Sequence, residues 1–186
     1  MTNTVLIVID MQNDYFADGA FALPEMEAAT GQAAILITRF REAAAPIIHI
    51  QHIMNRPNPP FFIAGSYGEE IASTVKPEAH EPVVKKNYPN AFRDTALLDM
   101  LEDLAVSNLV IVGAMTNNCV AATTRAATDL GYQVTVAHDA CAAAKLQFKD
   151  TVVASDIVHA TFMAAMGMQG AQIVAASEVV LDKTEN

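Results

Sequence analysis

Val5-Leu6-Ile7-Val8-Ile9, closed by Asp10, is an unbroken apolar run made mostly of β-branched residues. A strand with one wet face alternates apolar and polar residues. A continuous run suits a strand buried on both faces, as in a parallel sheet. The signature returns at Asn108-Leu109-Val110-Ile111-Val112-Gly113, and in shorter form at Ile47-Ile48-His49-Ile50 and over residues 132–137. Helical stretches lie between these runs. Residues 28–45 stop at Pro46, and residues 95–104 carry Leu97, Leu98, Leu101 and Leu104. Residues 119–130 close at Gly131, and residues 150–166 close at Gly167. Pro82-Val83-Val84 starts a short third strand, and residues 171–175 form a last one.

Strands alternating with helices predict βαβ units. The expectation is a single doubly wound α/β domain over residues 1–186, with about six parallel strands and helices on both faces. Such folds bind ligands beyond the carboxyl ends of their strands, near the point where strand order reverses. That rule singles out Asp10 after the first strand, Lys85 and Lys86 after the third, and residues 115–119 after the fourth. Residues 53–82 show no clear period. A loop that long is uncommon in a compact domain and is a candidate lid.

Composition removes several function classes. The chain has 11 Lys+Arg against 21 Asp+Glu, a net charge of −10. That argues against nucleic acid or an anionic membrane as partner, since both need a basic face. With 52% hydrophobic residues the chain can build a full core. Two cysteines, Cys119 and Cys141, make no disulfide framework, and no stretch reads as a leader or membrane span. The expected setting is cytoplasmic.

Among the residues placed for chemistry, Cys119 falls in the first turn of the helix expected from residue 119, with Thr116, Asn117 or Asn118 as its N-cap. Unpaired N–H groups there stabilise a thiolate and can hold an oxyanion. Cys141 reads as packing. Asp10 ends an apolar strand, and a buried carboxylate needs a partner, so it is a candidate base with Lys86 as its counter-charge. His49 and His52 are three residues apart and face opposite sides of a strand. That spacing does not support a shared metal, and structural or pocket-lining roles fit both. His138 and Asp139 read as turning the chain after the fifth strand.

Together these pieces resemble the isochorismatase-like cysteine hydrolases. Asp10-Met11-Gln12-Asn13-Asp14-Tyr15-Phe16 is similar to that family's opening element, and Lys86-Asn87-Tyr88-Pro89-Asn90-Ala91-Phe92 to its lysine segment. Gly113-Ala114-Met115-Thr116-Asn117-Asn118-Cys119-Val120 is similar to its nucleophile segment. The likeness spans residues 4–180. It implies a triad of Asp10, Lys86 and Cys119, with Lys86 chosen over Lys85 by the lysine-to-phenylalanine spacing. It also implies a cis peptide at Ala114–Met115 and an oxyanion hole from the Met115 and Cys119 N–H groups. The metal-binding Asp-x-His of the family's nicotinamidases is absent from His49-Ile50-Gln51-His52-Ile53, so neither metal nor other cofactor is expected.

The implied activity is hydrolysis of a C–N bond in a small amide, ureide or carbamate through a thioester. Phe16, Phe61, Phe62, Tyr67, Tyr88 and Phe162 are candidate pocket walls, and a homo-oligomer, dimer or tetramer, is expected. Rival readings are a vinyl-ether hydrolase of the isochorismatase type, a silent binding protein on the same scaffold, and a redox sensor. No resolving cysteine lies near Cys119 in sequence to serve the last.

Overall fold

The computed structural model describes residues 3–181. Six strands form a parallel sheet: β1 (Thr4–Ile9), β2 (Ile47–His52), β3 (Val83–Lys86), β4 (Asn108–Ala114), β5 (Gln133–Ala142) and β8 (Gln172–Val174). Their order is β3-β2-β1-β4-β5-β8. The chain builds leftward from β1, then returns to β4 on the other side of β1 and builds rightward. The reversal therefore lies between β1 and β4.

Every residue of β1 is buried, and its alternate side chains serve two cores. Leu6 and Val8 join the layer beneath α1 (Met26–Glu42). Val5, Ile7 and Ile9 join the layer that holds Leu97 and Leu101 of α2 (Leu97–Asp103), Ala121 and Ala127 of α3 (Ala121–Asp129), and Met163 and Met166 of α4 (Ser155–Met168). On α1 the buried positions Met26, Ala29, Thr30, Ala33, Leu36, Ile37 and Phe40 recur at helical spacing. Gly113 lies where β4 passes closest to β1. A Cβ there would sit 2.0 Å from the Ile9 carbonyl oxygen, so only glycine allows the approach.

Several element bounds differ from the sequence reading. The first helix runs 26–42 rather than 28–45, because Ala44 turns left-handed before Pro46. β2 continues to His52, since β3 pairs with Gln51 and His52 after the β1 pairing ends at Ile50. β5 runs past Ala137 to Ala142 with a register break against β4. His138 and Asp139 thus lie within a strand and do not turn the chain, and Asp139 accepts a hydrogen bond from the Ala176 N–H at 2.7 Å. The fourth helix starts at Ser155 because an antiparallel hairpin, β6 (Leu146–Phe148) with β7 (Thr151–Val153), takes the residues before it.

The stretch 53–82 is not loose. Gln12 bridges to it with an anti bridge at Ile71, and the Gln12 Nε2 donates to the carbonyls of His52 and Glu69 at 2.9 and 2.8 Å. Asp14 accepts from the Phe62 N–H at 2.6 Å, and Asn13 donates to the Tyr67 carbonyl at 3.0 Å. This segment is a wall laced to the opening motif, in place of the lid its length suggested.

Candidate active site

Four strand ends converge at the reversal point. Asp10 follows β1 with φ of 51°, a left-handed conformation that Asp tolerates better than most residues. The burial pattern of β3 alternates, with Val84 and Lys86 inside and Val83 and Lys85 exposed. Lys86 is 1% exposed, and its Nζ lies 2.8 Å from Asp10 Oδ2, 2.8 Å from His52 Nδ1 and 3.3 Å from Cys119 Sγ. The ammonium hydrogen-bonds His52 and Cys119 and pairs by charge with Asp10.

Cys119 arrives by a different route from the expected first α-helical turn. It sits in a wide turn, Thr116–Val120, that precedes α3, and the residue capping that turn is Met115 with no side-chain cap. Thr116 Oγ1 is 3.0 Å from His159 Nδ1, and Asn117 Oδ1 accepts from the Ala144 N–H at 3.3 Å. Neither side chain is turned back to cap. The Ala114–Met115 peptide is cis. The Met115 carbonyl accepts from Asn118 and Val120, while the Met115 N–H donates to no group among the described residues.

The electrostatics follow from burial and close pairing. Burial pushes the Asp10 carboxyl up, but the Lys86 ammonium, helped by His52, outweighs it and holds the group below its ordinary value. Burial also opposes the Lys86 charge, and Asp10 and Cys119 overcome it, so the ammonium is kept. The Cys119 thiol moves the other way. Burial and the Asp10 carboxylate push it well above an ordinary thiol, against the pull of Lys86. These directions favour an ion pair beside a protonated thiol, in which case the thiolate anticipated from a helix terminus is made by moving the proton. The Asp10 carboxylate oxygens are buried with no hydrogen-bond partner, and the carboxylate lies within 4.8 Å of the sulfur as an acceptor for that proton.

Asp10, His52 and Cys119 offer three donor atoms within 4.8 Å of one another, a spacing a metal ion could use. The Lys86 ammonium already stands among these three atoms, at 2.8, 2.8 and 3.3 Å. A second cation there would meet it at contact distance, so these residues do not fit a metal. In the other cluster, Glu78, His80 and Glu81, both Glu81 carboxylate oxygens are already bound by Arg41.

The six aromatic wall candidates separate. Phe62 is fully buried with its ring 6.0 Å from that of His52, and Phe61 packs behind it. Phe16 is half-buried against the same core. Tyr67 is 75% exposed, Tyr88 lies under the Arg93 guanidinium at 3.6 Å, and Phe162 faces Arg125 at 5.9 Å. Sequence reasoning missed Tyr15 and left His52 at a structural or pocket-lining role. Tyr15 is buried, and Cys119, Asp10 and Asp14 add to burial in raising its phenol. His52 touches Lys86. The signal for His52 was present, because it ends the strand between those that end at Asp10 and Lys86.

This arrangement on this fold defines a class. The isochorismatase domain profile matches residues 4–167, and the chain belongs to the isochorismatase family. It is 42% identical over 163 residues to the uncharacterized isochorismatase family protein YddQ of Bacillus subtilis, covering 88% of this chain and 91% of that one. A solved structure from Oleispira antarctica, described as of isochorismatase hydrolase type, superposes with a TM-score of 0.91 at 44% identity, covering 94% of each chain. A more distant relative, the maleamate amidohydrolase of Pseudomonas putida, is 28% identical over 151 residues, 72% of this chain and 70% of that one. The chain is thus an isochorismatase-family hydrolase. No helix among the described residues is long and apolar enough to cross a membrane.

Proposed function

We propose that this chain hydrolyses a C–N bond of a small amide, ureide or carbamate through a thioester on Cys119. The observation that carries the reading is the contact of one buried ammonium, Lys86, with both a carboxylate and the cysteine sulfur. Asp10 takes the thiol proton, and Lys86 stays beside the sulfur to balance the charge that appears. The thiolate attacks the carbonyl carbon, and the Met115 and Cys119 N–H groups hold the oxygen as it becomes negative. Asp10 returns the proton to the leaving amine as the C–N bond breaks, then takes one from water as water attacks the thioester, and gives it to the Cys119 sulfur as the C–S bond breaks. Each of these devices supplies on the order of 10²–10⁴ in rate. A proton acceptor beside a thiol suits acyl transfer, and the relative named as an amidohydrolase supports it. A vinyl-ether substrate would not need the sulfur. The reading extends to a small molecule as the sole class of partner besides further copies of this chain.

The test is a screen of small amides, ureides and carbamates for ammonia or amine release, with Cys119→Ala as the control. A thioester adduct on Cys119, trapped with a slow substrate and seen by mass spectrometry, supports the mechanism. Release that persists at wild-type rate in Cys119→Ala sinks it.

A further inference from the structure

We propose that His52 binds the substrate directly, donating its Nε2–H to an acceptor atom on the acyl chain beside the carbonyl that Cys119 attacks. This rests on the cysteine-hydrolase reading above and names the substrates that reading leaves open: amides whose α-carbon carries an oxygen.

The tautomer of His52 is set by its neighbour. Nδ1 lies 2.8 Å from Lys86 Nζ, and an ammonium donates but never accepts. Nδ1 therefore accepts, and the hydrogen of the neutral ring sits on Nε2. The 3.8 Å separations of Nδ1 from Asp10 Oδ2 and from Cys119 Sγ are too long to compete with it. Nε2 makes no hydrogen bond among the described residues, yet it is not one of the sealed, unpartnered polar atoms. It is thus not sealed from solvent, on a ring whose Nδ1 lies 3.8 Å from Cys119 Sγ, and the side chain keeps 9% of its surface. The residue is anchored at its backbone and its ring is flanked. The Gln12 amide grips the His52 backbone on both sides, accepting from its N–H at 2.8 Å and donating to its carbonyl at 2.9 Å, and Phe62 flanks the ring.

A carbonyl under attack has three substituents to place. Its oxygen faces the Met115 and Cys119 N–H groups, and its nitrogen must face Asp10 to receive a proton. The acyl chain is left to meet His52. A fixed donor with no protein partner favours a chain that offers it an acceptor and rejects one that leaves it bare.

Aldehydes read this without turnover. The Cys119 sulfur adds to the aldehyde carbon and the thiol proton moves to the oxygen, giving a hemithioacetal with nothing oxidised or reduced. Methoxyacetaldehyde and butyraldehyde differ by one ether oxygen in place of a CH2. Protection of Cys119 from iodoacetamide, followed by mass spectrometry, yields a Kd for each. Each Kd is divided by that of the same aldehyde with a small thiol in water. The corrected preference of the wild type for methoxyacetaldehyde is expected to be about tenfold, and His52→Phe should bring it to about one. His52→Gln, which keeps an N–H and serves if the phenylalanine variant does not fold, should fall between. A wild-type preference of one, or a tenfold preference that survives His52→Phe or rises in His52→Gln, overturns the proposal. If neither aldehyde protects Cys119, the sulfur does not add to carbonyls, and the reading under Proposed function falls with this one.

Discussion

Two buried charge clusters hang from the two faces of β2, three residues apart, and they differ in what they leave unmet. On one face His49 Nε2 lies 3.0 Å from Glu81 Oε2, Arg41 clasps the same carboxylate at 2.7 and 2.8 Å, and the Glu78 N–H adds a bond at 2.9 Å. Both Glu81 oxygens are satisfied, and the unmet atom on this face is His49 Nδ1, buried with no partner. On the other face His52, Lys86, Asp10 and Cys119 meet, and Asp10 Oδ1 is buried with no partner. The saturated cluster ties α1, β2 and the 53–82 segment together. The unsaturated one keeps a place for something absent from the chain. Each cluster leaves a buried group unpartnered, so burial and an unmet atom do not by themselves separate structure from chemistry; what differs is that the unpartnered group beside Cys119 is a carboxylate able to take its proton, where the other is a ring nitrogen with no nucleophile beside it.

The largest expected effect breaks the unsaturated cluster. Cys119→Ala should lower turnover by more than about 10⁴, and Asp10→Asn by about 10²–10⁴ through loss of the proton acceptor. Cys119→Ala removes one small buried group, so its thermal midpoint should move by no more than about 2–4 °C. Ammonia release and a melting curve on the same preparations check both. A cysteine variant that keeps its turnover would make this cluster as structural as the other.

Glu81→Gln should do the reverse. The Glu81 carboxyl is held at about 2, against an ordinary 4.5, because Arg41, Glu78 and His49 outweigh its burial. Arg41 keeps 29% of its side-chain surface, so water screens the pair, and about 2 kcal/mol is a fair discounted worth. The melting point should drop by about 4–8 °C for a chain of this size, with turnover unchanged.

Acid should act on the saturated cluster in two stages. Burial lowers the His49 pKa despite Glu81, so the folded ring stays neutral while the unfolded one takes a proton below 6.5. Stability therefore declines as pH falls from about 6.5. The Glu81 contribution is complete above its unfolded value near 4.5 and is lost as pH falls toward about 2. Asp10, also held low, adds to the second stage. Urea titrations across pH should show both stages. His49→Gln should flatten the first, and Glu81→Gln should shrink the second.

The sequence made the scaffold and the positions gathered at the candidate site legible for the same reason. Buried parallel strands announce themselves as apolar runs such as Val5–Ile9, and the residue where such a run ends is where ligands gather. Asp10, Lys86 and Cys119 each end or follow a strand; alternation along β3 requires that only one of Lys85 and Lys86 face inward, and the spacing to Phe92 picked Lys86. What stayed hidden depended on contacts across long sequence separations. Whether His52 is strand or loop is decided by pairing with Lys86, 34 residues on. The holding role of Gln12 and Asp14 shows only once the 53–82 segment lies against them. The side chains expected to cap the nucleophile helix were spent instead on His159 and Ala144.

The smallest expected effect sharpens the comparison most locally, between neighbours on β3. Burial and Asp10 raise the Cys119 thiol, and Lys86 is the group that opposes them. Lys86→Met keeps much of the side-chain volume and removes that opposition, so the thiol should rise further. Iodoacetamide labelling of Cys119 at neutral pH should then slow, and its pH profile should move to higher pH. Lys85 carries the same charge one residue away but faces outward. Its field reaches the sulfur only through solvent, where ions screen it within about 10 Å. Lys85→Met should leave the profile in place, with a rate within about twofold of wild type, since an exposed charge is worth ~0.5 kcal/mol or less. If the two variants slow labelling equally, the bulk charge of β3 sets the thiol, and the contact between Lys86 and Cys119 has no special standing.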